Sequence, residues 1–233
     1  MPLLQERCLQ EITEMNAEQD LILRRVVVTP FVENVYIVGS QAAKECVVVD
    51  PGAQPERILY EVNRLGLTVK LIVNTHGHGD HTSAVAGVKA GTGAPYAIHQ
   101  ADVPLLKGSS SWVRQALPDY QPPPEPDRFV QEGDVLEVGG YSFQVLETPG
   151  HTLGSVCLYG HGLVFTGDTL FQGSIGRFDT QGGNGRQLLE SIVGKLMTLP
   201  EETLVLPGHG MHSTIGEEKR SNPFLQGWDP EEV

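Results

Sequence analysis

Apolar residues in this chain fall into short, dense runs separated by polar and glycine-rich breaks, the pattern of buried strands alternating with amphipathic helices. Valine- and isoleucine-rich runs near 21–29, 32–38 and 46–49 predict three strands. Glu56 to Leu65 reads as a helix, 69–74 as a strand, Ser83 to Ala90 as a helix and 95–98 as a strand. The second half repeats the plan in outline. Strands are predicted near 134–138, 141–147, 154–159 and 162–166, then a helix over 186–196, a strand over 203–206 and a short helix near 215–220. Residues 108–127, with Ser109-Ser110-Ser111 and Pro122-Pro123-Pro124, read as a long irregular connection, either facing substrate or serving as a linker. Over residues 3–15, Leu4, Cys8, Leu9, Ile12 and Met15 share one side of a possible helix. Residues 1–20 are therefore taken as a helical extension and 21–233 as one domain of mixed α/β (α+β) class. The extension is expected to pack on its own domain, with a subunit interface in a homo-oligomer as the alternative.

Composition narrows the class. A chain of 233 residues that is 39% hydrophobic can bury a sizeable core, which excludes a fully disordered protein. It has no run of about 18 apolar residues. The start, with Glu6, Arg7 and Glu11, lacks the apolar stretch of a signal peptide, so a soluble cytoplasmic protein without a membrane partner is expected. Cys8, Cys46 and Cys157 show no Cys-x-x-Cys spacing and read as buried free thiols. A formal charge of −13 disfavours a nucleic-acid partner, because phosphate binding normally needs a basic surface.

The chemistry concentrates in Thr75-His76-Gly77-His78-Gly79-Asp80-His81, directly after the apolar run Leu71-Ile72-Val73. In an extended loop His76 and His78 point to the same side. Asp80 and His81 can turn toward a second position as a helix begins, so the spacing suits two metal ions better than one. Imidazole and carboxylate are donors for zinc, iron or manganese. Three later residues also follow predicted strands: His151 in Thr148-Pro149-Gly150-His151, Asp168 in Thr166-Gly167-Asp168-Thr169, and His209 in Pro207-Gly208-His209-Gly210. Every candidate except His81 has glycine next to it, which allows close approach of backbone to an ion. Singly, each later position is a weak signal; together with the first loop they complete a binuclear set.

This arrangement, His-x-His-x-Asp-His followed by His151, Asp168 and His209, resembles the metallo-β-lactamase superfamily over about residues 21–225. Gly167 to Phe171, Ser174 to Asp179, and Thr214 to Glu218 leading to Asn222-Pro223-Phe224-Leu225 are similar to its glyoxalase II-like hydrolases. The resemblance implies a four-layer αβ/βα sandwich. It implies one metal held by His76, His78 and His151, a second by Asp80, His81 and His209, and Asp168 bridging, with zinc expected first and iron or manganese as alternatives. It further implies Asp50 beneath the first metal loop, where a plain Asp-Pro-Gly turn is an equal reading, and Arg177 as the grip on a substrate carboxylate, against a surface pair with Asp179.

Open positions on two metals let a water lose its proton near neutral pH, and the hydroxide attacks a carbonyl without any serine or cysteine nucleophile. Asp80 and Asp168 then serve as ligands rather than general bases. The expected activity is hydrolysis of an anionic acyl thioester such as S-lactoylglutathione. Only 24 residues, 210–233, follow His209, too few for the helical glutathione-contacting domain of full glyoxalase II. A single-iron persulfide dioxygenase and a lactonase are the alternatives. A β-lactamase fits less well, since Asp168 stands where a major lactamase group has cysteine. His99, His161 and His212 are read as surface or capping residues, and Tyr36, Tyr141 and Tyr159 as packing residues.

Overall fold

The computed structural model describes residues 20–107, 111–117 and 120–227. The helix expected over 3–15 and Cys8 lie outside the described residues. Two six-stranded sheets carry the fold. The first runs in spatial order β1 (Leu21–Val28), β2 (Glu33–Ser40), β3 (Glu45–Val49), β4 (Thr68–Val73), β5 (Tyr96–His99) and β6 (Arg128–Val130). The second runs β14 (Ser213–Thr214), β13 (Leu204–Pro207), β10 (Leu163–Gly167), β9 (Val156–Gly160), β8 (Tyr141–Glu147) and β7 (Val135–Val138). A small ribbon, β11 (Leu170–Phe171) with β12 (Ser174–Ile175), follows β10.

Period-2 alternation explains the layering. On β2 and β3, Tyr36, Val38, Val47 and Val49 face the second sheet, where they meet Phe143, Val145, Leu158 and Phe165. Their neighbours Val35, Ile37, Cys46 and Val48 face the other way, onto Ile58 and Val62 of helix α1 (Pro55–Leu65) and Val85 and Val88 of α3 (Val85–Thr92). Strands covered on both faces must be apolar throughout, which is why these runs read as continuous rather than alternating. The outer face of the second sheet buries Cys157, Val164 and Val205 against Leu188 and Ile192 of α6 (Gly185–Lys195) and Ile215 of α7 (Ile215–Ser221). The result is helix, sheet, sheet, helix, as the family resemblance implies. Each fully buried Leu, Ile or Val contributes about 1.5–3 kcal/mol.

The departures have local causes. The helix expected to begin near Asp80 and to continue over 83–90 is two pieces, α2 (Gly79–Thr82) and α3, because His78 ends an extended stretch and the chain turns again at Ser83 and Ala84. The connection over 108–127 is not wholly irregular: after α4 (Val103–Lys107) it contains α5 (Ser111–Ala116). Strand β6 was not predicted; Arg128 and Phe129 are exposed and only Val130 is buried, leaving almost no hydrophobic signal. β9 starts two residues later than its apolar run suggests, since Thr148 N donates to Ser155 O and the intervening residues form a turn. No helix among the described residues is long and apolar enough to cross a membrane.

Candidate metal centre

The loops leaving β3, β4, β8, β10 and β13 meet at one edge of the sandwich and bring all seven sequence-predicted ligands together. His76, His78 and His151 form one group of donors, and Asp80, His81 and His209 another, the atoms in each lying within 4.8 Å of one another. Asp168 lies between them. Its Oδ1 is 3.2 Å from His81 Nε2 and 3.9 Å from His209 Nε2, while Oδ2 is 3.7 Å from His151 Nε2. His209 Nε2 is 3.4 Å from Asp80 Oδ2, and His151 Nε2 is 2.9 Å from His78 Nδ1.

Hydrogen bonds behind the rings fix which nitrogen faces inward. His151 Nδ1 donates to Arg177 O at 2.6 Å, leaving Nε2 toward His78 and Asp168. His81 Nδ1 lies 3.1 Å from Asp50 Oδ2, leaving Nε2 toward Asp168. Histidine ligands of metals are held by such contacts from their other nitrogen. Asp50 is pinned in turn: its Oδ1 accepts from Thr75 N (2.7 Å) and Asn74 Nδ2 (3.1 Å), and its Oδ2 from Thr75 Oγ1 (2.6 Å). A third donor group, Asp50 with His76 and His81, also lies within ligating distance. Both Asp50 oxygens are already engaged by these donors, so Asp50 is better placed to support the first loop than to ligate.

The donor set fits a cation. His76 Nε2, His81 Nε2 and Asp168 Oδ1 are buried without an aligned hydrogen bond, although His81 Nε2 and Asp168 Oδ1 face each other at 3.2 Å. Leaving a buried polar atom unmatched costs about 1–3 kcal/mol, and a cation shared by all three would remove that cost. Two divalent ions satisfy imidazole nitrogens and carboxylate oxygens at once.

The electrostatics differ between the two groups. Burial, reinforced by the surrounding histidines, holds His76 well below the usual histidine range, and burial and His151 lower His78 to about 4. Both are therefore neutral, the ligating form. Burial opposes protonation of His81 as well, but Asp168 and Asp50 outweigh it and raise that imidazole well above its ordinary value. Burial likewise works against ionised Asp168 and Asp80, yet His81 lowers the first and His209 the second. Both remain carboxylates.

Arg177 contributes its carbonyl to His151, but its guanidinium is 75% exposed and pairs with Asp179 at 3.0 and 3.2 Å. The side chain thus rests in the surface pair rather than over the centre. His99 Nδ1 accepts from Ala101 N, the capping role expected, and its Nε2 lies 3.1 Å from Glu147 Oε1. His161 Nε2 accepts from Ser142 N at a strand edge. Tyr36 is a packing residue against Phe165 whose hydroxyl also donates to Pro207 O. Cys46 and Cys157 are free and buried, their thiols pushed up to about 12 and about 11 chiefly by burial.

Sequence reasoning missed Glu33. It is fully buried, neither carboxyl oxygen has a hydrogen-bond partner, and Oε1 is 4.0 Å from His81 Nδ1. Burial raises its pKa well above the carboxylate range. A lone acid between Val32 and Val35 was the only available signal.

Comparison with known proteins agrees with this geometry. The chain is 37% identical over 203 residues to the hydroxyacylglutathione hydrolase GloC of Haemophilus influenzae, covering 85% of this chain and 95% of that protein. The crystal structure of the BLEG-1 B3 metallo-β-lactamase superposes with a TM-score of 0.82 at 35% identity, over 88% of this chain and all of that one. ETHE1 from Myxococcus xanthus superposes with a TM-score of 0.76 at 34% identity, over 90% of this chain and 87% of that one. The metallo-β-lactamase superfamily model matches residues 28–209, the span that holds every ligand candidate, and this chain belongs to that superfamily.

Proposed function

We propose that this protein is a binuclear metal-dependent hydrolase of acyl thioesters, of the glyoxalase II-like kind. The observation that carries this reading is the position of Asp168, whose two oxygens face the two donor groups from opposite sides. Similarity to the Haemophilus influenzae hydroxyacylglutathione hydrolase supports the substrate class. Two divalent ions held there would supply Lewis acidity and lower the pKa of a bound water to about 7.

The chain's own residues supply orientation. Arg177 O and Asp50 aim the inward nitrogens of His151 and His81, and the low pKa of Asp168 keeps its carboxylate in the form that both groups can share. Zinc is the first choice of metal, though the same imidazole and carboxylate donors accept iron or manganese. A thiolate is a modest base, with a free thiol pKa of about 8.5, so thioester cleavage needs no dedicated acid beside the ligands. The two cysteines among the described residues, Cys46 and Cys157, lie in core clusters rather than in the donor groups, so neither competes as nucleophile. Arg177 is the candidate for holding a substrate carboxylate, since its exposed fork can exchange Asp179 for an anionic ligand.

Steady-state assays on S-lactoylglutathione, a β-lactam, an acyl lactone and glutathione persulfide test this directly. Turnover confined to the thioester supports it. Oxygen uptake on the persulfide with one iron per chain would assign a dioxygenase instead. β-Lactam or lactone opening without thioester cleavage would move the reading to those classes.

A further inference from the structure

The ligand group His76, His78 and His151 is assembled from two loops that belong to different sheets: the first leaves β4, the other leaves β8. One backbone bond joins them, from Val156 N to Thr75 O at 2.8 Å. The rest of the junction converges on Asp102, in the 3-10 turn Gln100–Asp102 that follows β5. Asp102 is fully buried. Its Oδ2 accepts from Gly77 N at 2.8 Å, the amide lying between His76 and His78. The same oxygen accepts from Thr152 Oγ1 at 2.7 Å, and Oδ1 accepts from Gly154 N at 2.8 Å, both just beyond His151. The fit leaves no slack. A Cβ at residue 77 would fall 2.8 Å from Asp102 O, and one at residue 154 would fall 2.8 Å from the Asp102 carboxyl carbon.

We infer that Asp102 is a positioning residue that sets the spacing between the His76–His78 loop and the His151 loop, and so controls metal retention in the three-histidine group. This rests on the reading of that group as a metal site. Asp102 touches no ligand side chain; it acts through backbone amides and a hydroxyl. A carboxylate is required because all three of its partners donate: two are amide N–H groups, and the Thr152 hydroxyl lies between Asp102 and Ser155 Oγ, 2.7 Å away. An asparagine there must aim its NH2 at a donor, which pushes at least one loop away. Asp80, His81 and His209 are not held by this carboxylate. Support of His81 falls to Asp50, so loss of Asp102 acts on one metal and not the other.

The test is titration of the metal-stripped full-length protein with Zn2+ against a competing chelator, alongside thermal melting of the metal-free form. His78→Ala marks which zinc class belongs to the three-histidine group. Asp102→Asn is expected to weaken that class by about 10–100-fold, the usual effect of losing such a supporting contact, and to leave the other class unchanged. Thr152→Val removes one donor and is expected to weaken the same class by less, while Thr152→Ser, which keeps the hydroxyl, retains wild-type affinity. Should Asp102→Asn fail to fold, the Thr152 pair decides. Equal weakening of both classes, or unchanged affinities with only a lower melting temperature, overturns the inference. A wild-type protein that binds two zinc ions beside unaffected variants defeats this inference alone. A wild-type protein that binds none defeats the metal reading and this inference with it.

Discussion

Asp50 Oδ2 lies 3.1 Å from His81 Nδ1, and the same carboxylate takes both donors of Thr75, so one side chain at the end of β3 supports the loop that begins the metal centre. Asp50 adopts a left-handed φ of 51°, a conformation that costs a non-glycine residue energy and aims its carboxylate under the loop.

Replacement of Asp50 by Ala should therefore lower metal affinity by about 10–100-fold while the chain still folds. Equilibrium metal titration with circular dichroism checks both halves. Unchanged metal content and rate would reduce Asp50 to a turn residue.

Removal of metal should be visible as lost stability. Ligand at 100 times its Kd contributes about 2.7 kcal/mol, and for a domain of this size each kcal/mol moves Tm by about 2–4 °C. A chelator should lower Tm by several degrees, and Zn2+ should restore it. A Tm indifferent to both would mean that the donor groups hold no ion.

Gly208 is a close-approach position. A Cβ there would fall 2.4 Å from His81 Cε1 and 2.7 Å from Asp168 Oδ1. Gly208→Ala should thus reduce bound metal and activity at least tenfold by displacing His81 or Asp168. Full metal loading in the variant would contradict the placement of these two ligands.

Arg177→Ala should leave metal content intact, because Arg177 meets His151 through its backbone carbonyl. Loss of its fork should raise KM for an anionic thioester about tenfold with kcat little changed, as expected for one charge-assisted contact. A KM equal to wild type would end the anion-holding role and leave the surface pair with Asp179.

Glu61 offers a pH test away from the centre. Burial works against its ionised form, but hydrogen bonds from Arg64 and Arg24 overcome this and lower its pKa. A depressed carboxylate stabilises the fold above its unfolded pKa and loses that effect as pH falls through the folded one. Glu61→Gln should cost about 0.5–1 kcal/mol at pH 7, a difference that fades on acidification below about pH 4. A cost independent of pH would point to packing instead.

Much of the site was legible because the ligand types are rare in loops and each follows an apolar run. His76, His78, Asp80 and His81 stood out together at one strand end; His151, Asp168 and His209, each a weak signal singly, gained weight from that loop and from the family resemblance, and the structure brings all seven together. The layering came from the family resemblance, and the apolar runs of β2 and β3, buried on both faces, agree with it. What escaped were residues whose importance lies in contacts distant in sequence. Asp102 follows an ordinary His-Gln-Ala and meets Gly154 only when the sheets face each other. Glu33 looks like a strand-edge acid until burial strips it of water. For Arg177 the sequence offered two readings, a grip on substrate and a surface pair with Asp179, and the guanidinium rests in the pair. Helix α5 was hidden by the serines and prolines around it.

The most direct test of the central claim is metal stoichiometry by elemental analysis of protein purified without added metal. Two transition-metal ions per chain, falling to one in His78→Ala, is the predicted result. No metal in the wild-type protein, after attempted reloading with zinc, iron and manganese, would contradict it.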